Sequence, residues 1–115
     1  MEDRELLREY VESRSEAAFT ELVRRHLDLA YATALRVTGE RQLALDVVQE
    51  VFVKLGREAG SIRKPEALPA WLYRIAHALA LNAVRAEVRR RRREEEAMRM
   101  REQVWGGYRG VAGCA

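Results

Sequence analysis

The sequence predicts an all-α fold, a compact bundle of about four helices whose last member is long and basic. Three observations lead there. Alanine, leucine, arginine and glutamate dominate the composition, and these are strong helix formers. Apolar residues recur at steps of three and four in successive stretches, the signature of helices with one buried side. Breakers are sparse: two prolines and seven glycines occur, and four of the glycines (Gly106, Gly107, Gly110, Gly113) fall in the last ten residues. A chain of 115 residues fits one domain, expected over 1–100, followed by a flexible tail over 101–115.

The first helix is expected over residues 3–12, with Leu6, Leu7, Tyr10 and Val11 on one side. Ser13 and Ser15 follow, either of which can cap the next helix by accepting from an unpaired amide. The second helix runs from Glu16 to Val37 with a stripe of Phe19, Leu22, Val23, Leu27, Ala30, Tyr31, Ala34 and Leu35. His26 lies inside that stripe, where a packed, hydrogen-bonded histidine is the leading reading, ahead of a metal or catalytic role. Gly39 supplies the C-terminal stop.

The third helix covers Arg41 to Leu55 and is expected to end at Gly56. Its inner stripe is Ala44, Val47, Val48, Val51, Phe52 and Leu55. At about 100° per residue the outer face carries Leu45, Asp46, Gln49, Glu50 and Val53. A merely solvated face is more often all charge, so this mixture of carboxylates, amide and aliphatics stands out. Residues 57–68 form a connection broken by Gly60 and Pro65, long for a helix–helix link.

Pro69 suits the first turn of the fourth helix. Trp71, Leu72, Ile75, Ala76, Leu79 and Ala83 form its core stripe, and Arg74, His77, Leu81, Arg85 and Arg92 its opposite face. Tyr31 and Tyr73 are expected to be packing residues. The helix can continue through Arg89–Arg93 into Glu94–Glu96, whose carboxylates can pair with Arg90–Arg92 one turn away. The arginine run fits a phosphate-tracking segment and equally a basic linker. Periodicity ends at Gln103.

Charge is unevenly spread. Residues 1–60 hold 9 basic and 12 acidic side chains (−3), and residues 61–115 hold 12 and 6 (+6), which sum to the chain's +3. The basic half is a candidate for nucleic acid. The single cysteine, Cys114, excludes an internal disulfide framework and a cysteine-based zinc site. No apolar run is long enough for a membrane span, and the polar opening does not read as a secretory signal, so a cytoplasmic protein is expected. No phosphate-cradling loop, zinc-protease motif or nucleophilic triad occurs, so no enzymatic activity, cofactor or metal is expected.

Two segments carry further meaning: Ala44-Leu45-Asp46-Val47-Val48-Gln49-Glu50-Val51-Phe52-Val53-Lys54-Leu55, and Trp71-Leu72-Tyr73-Arg74-Ile75-Ala76 followed by Arg85. With Phe19-Thr20-Glu21-Leu22, Tyr31 and Ala34-Leu35-Arg36-Val37-Thr38-Gly39 upstream, their order and spacing resemble region two of sigma-70 family RNA polymerase sigma factors, in particular the small extracytoplasmic-function type. The resemblance covers roughly residues 5–95. It implies a helical domain that docks on the clamp helices of the polymerase β′ subunit, through Leu45, Asp46, Gln49, Glu50 and Val53 here. It further implies capture of the single-stranded non-template strand of the promoter −10 element by the 57–68 connection and the last helix. Ser61 and Ile62 would line a base pocket, with Arg63, Lys64, Arg74, His77, Arg85, Arg89 and Arg92 near phosphates. An anti-sigma factor is a further implied partner, and an isolated domain of this kind can self-associate.

Three departures are visible. The family usually shows Arg-Asn where this chain has His77-Ala78, and often Asp at Asn82. The second domain of such factors, which reads the −35 element, is expected to be absent, and Val104-Trp105-Gly106-Gly107-Tyr108 does not resemble its start. A degenerate sigma-like module that binds polymerase or an anti-sigma partner without melting DNA is therefore the alternative, followed by a dimeric helical DNA-binding regulator.

Overall fold

A computed structural model of the chain describes the backbone of residues 1–114 and the side chains of residues 1–106. The helices are α1 (Asp3–Ser13), α2 (Glu16–Thr38), α3 (Arg41–Glu58) and α4 (Leu68–Cys114), and no strand occurs among the described residues. Two short 3-10 turns, Ala59–Ser61 and Pro65–Ala67, lie between α3 and α4. The chain divides into two compact units, Met1–Val84 and Arg85–Ala115. The expected 1–100 domain thus spans both.

In the first unit each helix buries most of the stripe its sequence spells, though Val11 of the α1 side stands 43% exposed. Leu22, Val47, Val51, Leu55, Leu68 and Leu72 are the largest fully buried side chains, drawn from α2, α3 and the start of α4. Each such residue contributes about 1.5–3 kcal/mol when it leaves water. Trp71, Ile75 and Leu79 pack half-buried against this core, as does Tyr31. Leu27 differs from the expected stripe and stands 41% exposed.

Helix ends follow their chemistry. Ser15, not Ser13, caps α2 by accepting from the Ala18 amide at 3.1 Å, while the Ser13 hydroxyl donates to the Glu9 carbonyl. Gly39 closes α2 at φ 68°, a left-handed backbone that glycine adopts without strain, and its N–H donates to the Leu35 carbonyl at 2.8 Å. Arg14 closes α1 at φ 54° although it carries a side chain. That side chain compensates locally: Nη1 donates to Tyr10 Oη at 3.0 Å, and the guanidinium lies 5.2 Å from the Tyr10 ring centre.

Gly56 is a correction. It does not end α3, which continues to Glu58. Its value is the missing side chain: an added Cβ would meet Tyr10 Oη at 3.3 Å and the Phe19 ring at 3.7 Å. The gap lets α1 and α2 approach the end of α3. Tyr10 Oη donates to the Gly56 carbonyl at 3.1 Å, and the Tyr10 and Phe19 rings sit 4.9 Å apart. At the other end of α1, Asp3 Oδ2 lies 2.8 Å from Nε2 of the buried His26 and Asp3 Oδ1 lies 3.4 Å from Arg25. His26 is thereby a structural tie between α1 and α2.

In the second unit α4 is helical from Arg85 through Gln103 to Cys114, further than the periodicity predicts. Arginine, methionine, glutamate and glutamine at 99–103 favour continuation once a helix exists. Of the tail expected over 101–115, the side chains beyond Gly106, the Cys114 thiol included, lie outside the described residues.

Candidate functional site

The outer face of α3 follows directly from its buried stripe. With Ala44, Val47, Val48, Val51, Phe52 and Leu55 turned inward, Leu45, Asp46, Gln49, Glu50 and Val53 face solvent. Leu45 is 48% and Val53 53% exposed, large apolar surfaces with nothing over them. Asp46, Gln49, Glu50 and Val53 line a groove of about 710 Å³ together with Lys54, Arg57, Glu58 and Leu79 from α4. Leu45 lies outside that lining. The charges are unequally available. Lys54 is taken by Glu58 at 2.8 Å, and Gln42 Nε2 donates to Asp46 Oδ1 at 3.2 Å. Among the described residues Glu50 has no ion-pair partner, so its carboxylate is free to receive one from another molecule.

A second, more apolar groove of about 800 Å³ shares Gln49, Val53 and Arg57 with the first and reaches across to Tyr10, Phe19, Val23 and Leu27. Arg14 and Arg57 are its charged members. Sequence reasoning missed it because the α2 stripe places Leu27 inside, whereas it is exposed, and because Val23 both packs against the core and lines the groove. The signal was present in the breadth of the α2 apolar stripe, which is wider than one neighbouring helix can cover.

The connection after α3 separates its predicted residues. Ser61 is exposed, and its hydroxyl donates to the Glu58 carbonyl at 2.8 Å. Ile62 is half-buried and packs against the core. Arg63 and Lys64 are exposed, with no ion-pair partner among the described residues. A small recess of about 180 Å³ beside them is lined by Gly60, Ile62 and Pro65 together with Arg4, Leu7, Arg8, Val11 and Ala59. The α1 members of this lining were not among the predicted site residues.

Within the first unit, Arg74 and Tyr73 are exposed, and His77 is half-buried with its ring stacked 6.0 Å from that of Tyr73. Tyr73 is therefore a surface ring at 44% exposure rather than the packing residue expected, whereas Trp71 packs half-buried on the core as its stripe position requires. Two residues along a helix turn the side chain by about 200°, enough to reverse its surroundings.

In the second unit the arginine run has two unlike sides. Glu87 collects both Arg90 and Arg91, and Arg90 also pairs with Glu94. These hydrogen bonds, Arg90 foremost, hold the Glu87 carboxyl below its ordinary range and raise Arg90 in turn. Of the expected partners only Glu94 is used, and Glu87, which precedes the run, does most of the pairing. Arg85, Arg89 and Arg92 are exposed and lack ion pairs among the described residues. Their spacing of four and three places them on one helix face, with the paired set opposite.

Among the described residues no group of three or more His, Cys, Asp or Glu is placed to hold a metal, and no helix is long and apolar enough to cross a membrane.

Comparison with known proteins bears on these surfaces. The chain is 37% identical over 68 residues to the ECF RNA polymerase sigma factor SigE of Mycolicibacterium smegmatis, covering 59% of this chain and 26% of that protein. It is 36% identical over 89 residues to the RNA polymerase sigma-H factor of Pseudomonas aeruginosa, covering 77% of this chain and 46% of that protein. Against the ECF RNA polymerase sigma-E factor of Haemophilus influenzae it is 37% identical over 82 residues, 71% of this chain and 43% of that protein. The chain thus spans less than half the length of each of these curated relatives. No solved structure matches it. A family model described as Sigma-70 region 2 matches residues 22–93, which include α3, the connection and the start of α4, and the chain belongs to that family.

Proposed function

We propose that this chain is a sigma-factor domain of the cytoplasm that binds core RNA polymerase and promoter −10 DNA to direct transcription initiation. The α3 face would meet the β′ clamp helices: Asp46 and Glu50 receive basic groups, Gln49 supplies a hydrogen-bonding edge, and Leu45 and Val53 supply apolar contact. The single observation that carries this reading is that face, where a free carboxylate, an amide and the exposed Val53 line one groove and the exposed Leu45 lies outside it. The connection and α4 would engage the non-template strand, with Ser61 and Ile62 at the base and Arg63, Lys64, Arg74 and His77 near phosphates. Arg85, Arg89 and Arg92 would track backbone phosphate.

A second reading has its own support. His77 stacks on Tyr73, and Ala78 offers no polar side chain. A module that binds polymerase or an anti-sigma partner without capturing a strand fits that pair better.

The test is co-elution of the chain with bacterial core RNA polymerase, with Asp46→Arg and Glu50→Arg as variants. Binding by the native chain that both reversals abolish is the expected result. A folded native chain that does not bind overturns the docking assignment. Binding to polymerase without preference for single-stranded −10-type DNA selects the second reading.

A further inference from the structure

We propose that α1 completes a single-nucleotide site at the connection, with Arg4 and Arg8 as its phosphate-binding cations. The proposal rests on the nucleic-acid reading of that connection and extends it to a helix that lies before residue 22, where the family match begins.

The site is the recess of about 180 Å³ between α1 and the turn that carries Arg63 and Lys64. Its floor is apolar, made by Leu7 and Val11 from α1 and by Ile62 and Pro65 from the connection. Gly60 adds no side chain to it, and a methyl group there would make ordinary contact with Val11 Cγ1 at 3.8 Å. Ile62 therefore serves the site from below, anchored on the core, and not as a free wall.

Charge decides the occupant. The recess is lined by two cations, Arg4 and Arg8, and by no carboxylate. The two arginines are one turn apart and so lie on the same side of α1. Both are exposed, and neither has an ion-pair partner among the described residues. Arg63 and Lys64 add two more exposed cations at the adjoining turn. A flat base with its phosphate toward α1 matches an apolar recess with two cations on one side, since unstacked bases are held between apolar side chains and their phosphates by arginine and lysine. Glu2, Asp3 and Glu66 line a separate recess with Arg4 and Arg25, so Arg8 carries the larger share of phosphate binding.

The rigid seating of α1 supports the assignment. Tyr10 fastens it to Gly56, and Asp3 fastens it to His26 and Arg25. Arg4 and Arg8 are therefore presented from a fixed helix, and binding does not first have to order one.

The experiment is fluorescence anisotropy of the full chain with a labelled single-stranded DNA of degenerate sequence, repeated on the same length of abasic strand and over a salt series. The variants are Arg8→Ala, Arg4→Ala, Arg8→Lys, Arg63→Ala and, as a control cation on α2, Arg36→Ala. Each single-strand phosphate contact contributes about 0.7 to the salt slope, which amounts to about fivefold in affinity over a tenfold change in salt. Arg8→Ala is expected to lower the slope by about that amount with the melting temperature unchanged, Arg8→Lys to restore most of it, and Arg36→Ala to change nothing. The abasic strand is expected to bind more weakly to the native chain. If Arg63→Ala weakens binding while Arg4→Ala and Arg8→Ala leave it intact, the α1 assignment is wrong and the reading of the connection survives. If the native chain binds no single strand, both fall together.

Discussion

Replacing Gly56 by alanine is expected to change sign with the residue at position 10. In a helix interior the exchange stabilises by up to about 1 kcal/mol, because alanine loses less backbone freedom on folding. Here the new Cβ would sit 3.3 Å from Tyr10 Oη, closer than ordinary contact, while 3.7 Å to Phe19 is unremarkable. Tyr10 must retreat by a few tenths of an ångström. That retreat stretches its 3.1 Å bond to the Gly56 carbonyl and disturbs the 3.0 Å bond from Arg14. A net hydrogen bond is worth about 1 kcal/mol, so the two effects cancel or the loss prevails. Tyr10→Phe alone is expected to destabilise by about 1 kcal/mol through the same bond. With the hydroxyl gone, the obstacle is gone too, and Gly56→Ala should then stabilise by about 0.5–1 kcal/mol. The assay is a double-mutant cycle by urea unfolding, followed by Trp71 fluorescence in a Trp105→Phe background. A coupling of about 1 kcal/mol is expected, and additivity within about 0.3 kcal/mol would refute the reasoning.

Three further outcomes are expected. Leu22, at 0% exposure, should lose about 2–5 kcal/mol on truncation to alanine, read from the urea midpoint. Glu21 is held at about 2 against an ordinary 4.5 by hydrogen bonds from Arg24 and then Arg25. Its folded pKa is depressed, so its contribution is complete above 4.5 and fades as pH falls toward 2. Glu21→Gln should flatten the acid decline in stability across that window, and an unaltered decline would count against the pairing. On duplex DNA, Arg89→Ala or Arg92→Ala should each lower the salt slope by about 0.9, whereas Arg91→Ala, already neutralised by Glu87, should lower it less.

The helices of the first unit were legible because each is amphipathic and most of its apolar spacing survives translation into a buried stripe, whereas α4 beyond Val84 buries none of its described residues. Gly56 was not, since a glycine near a helix end reads as a stop, and only the approach of Tyr10 and Phe19 reveals a packing role. The α3 face was legible for a geometric reason: six inward residues leave a defined remainder outside. The recess under the connection was not, because Arg8 and Ile62 are far apart in the chain and meet only through the fold. Nor could sequence divide the arginine run, since its chief partner Glu87 comes before it rather than after.

Net charge by halves does not say which charges are open to a partner. In the acidic half, Glu21 is consumed by Arg24 and Arg25, Asp3 by Arg25 and His26, and Glu58 by Lys54. Those carboxylates are paired at home and offer little to a partner. The other nine carboxylates of that half lack ion pairs among the described residues, and two of them, Asp46 and Glu50, stand on the α3 face. In the basic half, Arg90 and Arg91 are spent on Glu87 and Glu94, which leaves Arg63, Lys64, Arg74, Arg85, Arg89, Arg92, Arg93, Arg99 and Arg101 without ion pairs among the described residues. A partner meets only the uncommitted charge. Ion pairing inside the chain therefore withdraws Asp3, Glu21 and Glu58 from the acidic half and Arg90 and Arg91 from the basic half, and leaves the Asp46 and Glu50 carboxylates of the α3 face open to a partner. Converting Arg24 to alanine would remove the leading hydrogen-bond partner of Glu21 without touching the α3 face or the seating of α1, so polymerase co-elution should be unchanged while acid stability shifts.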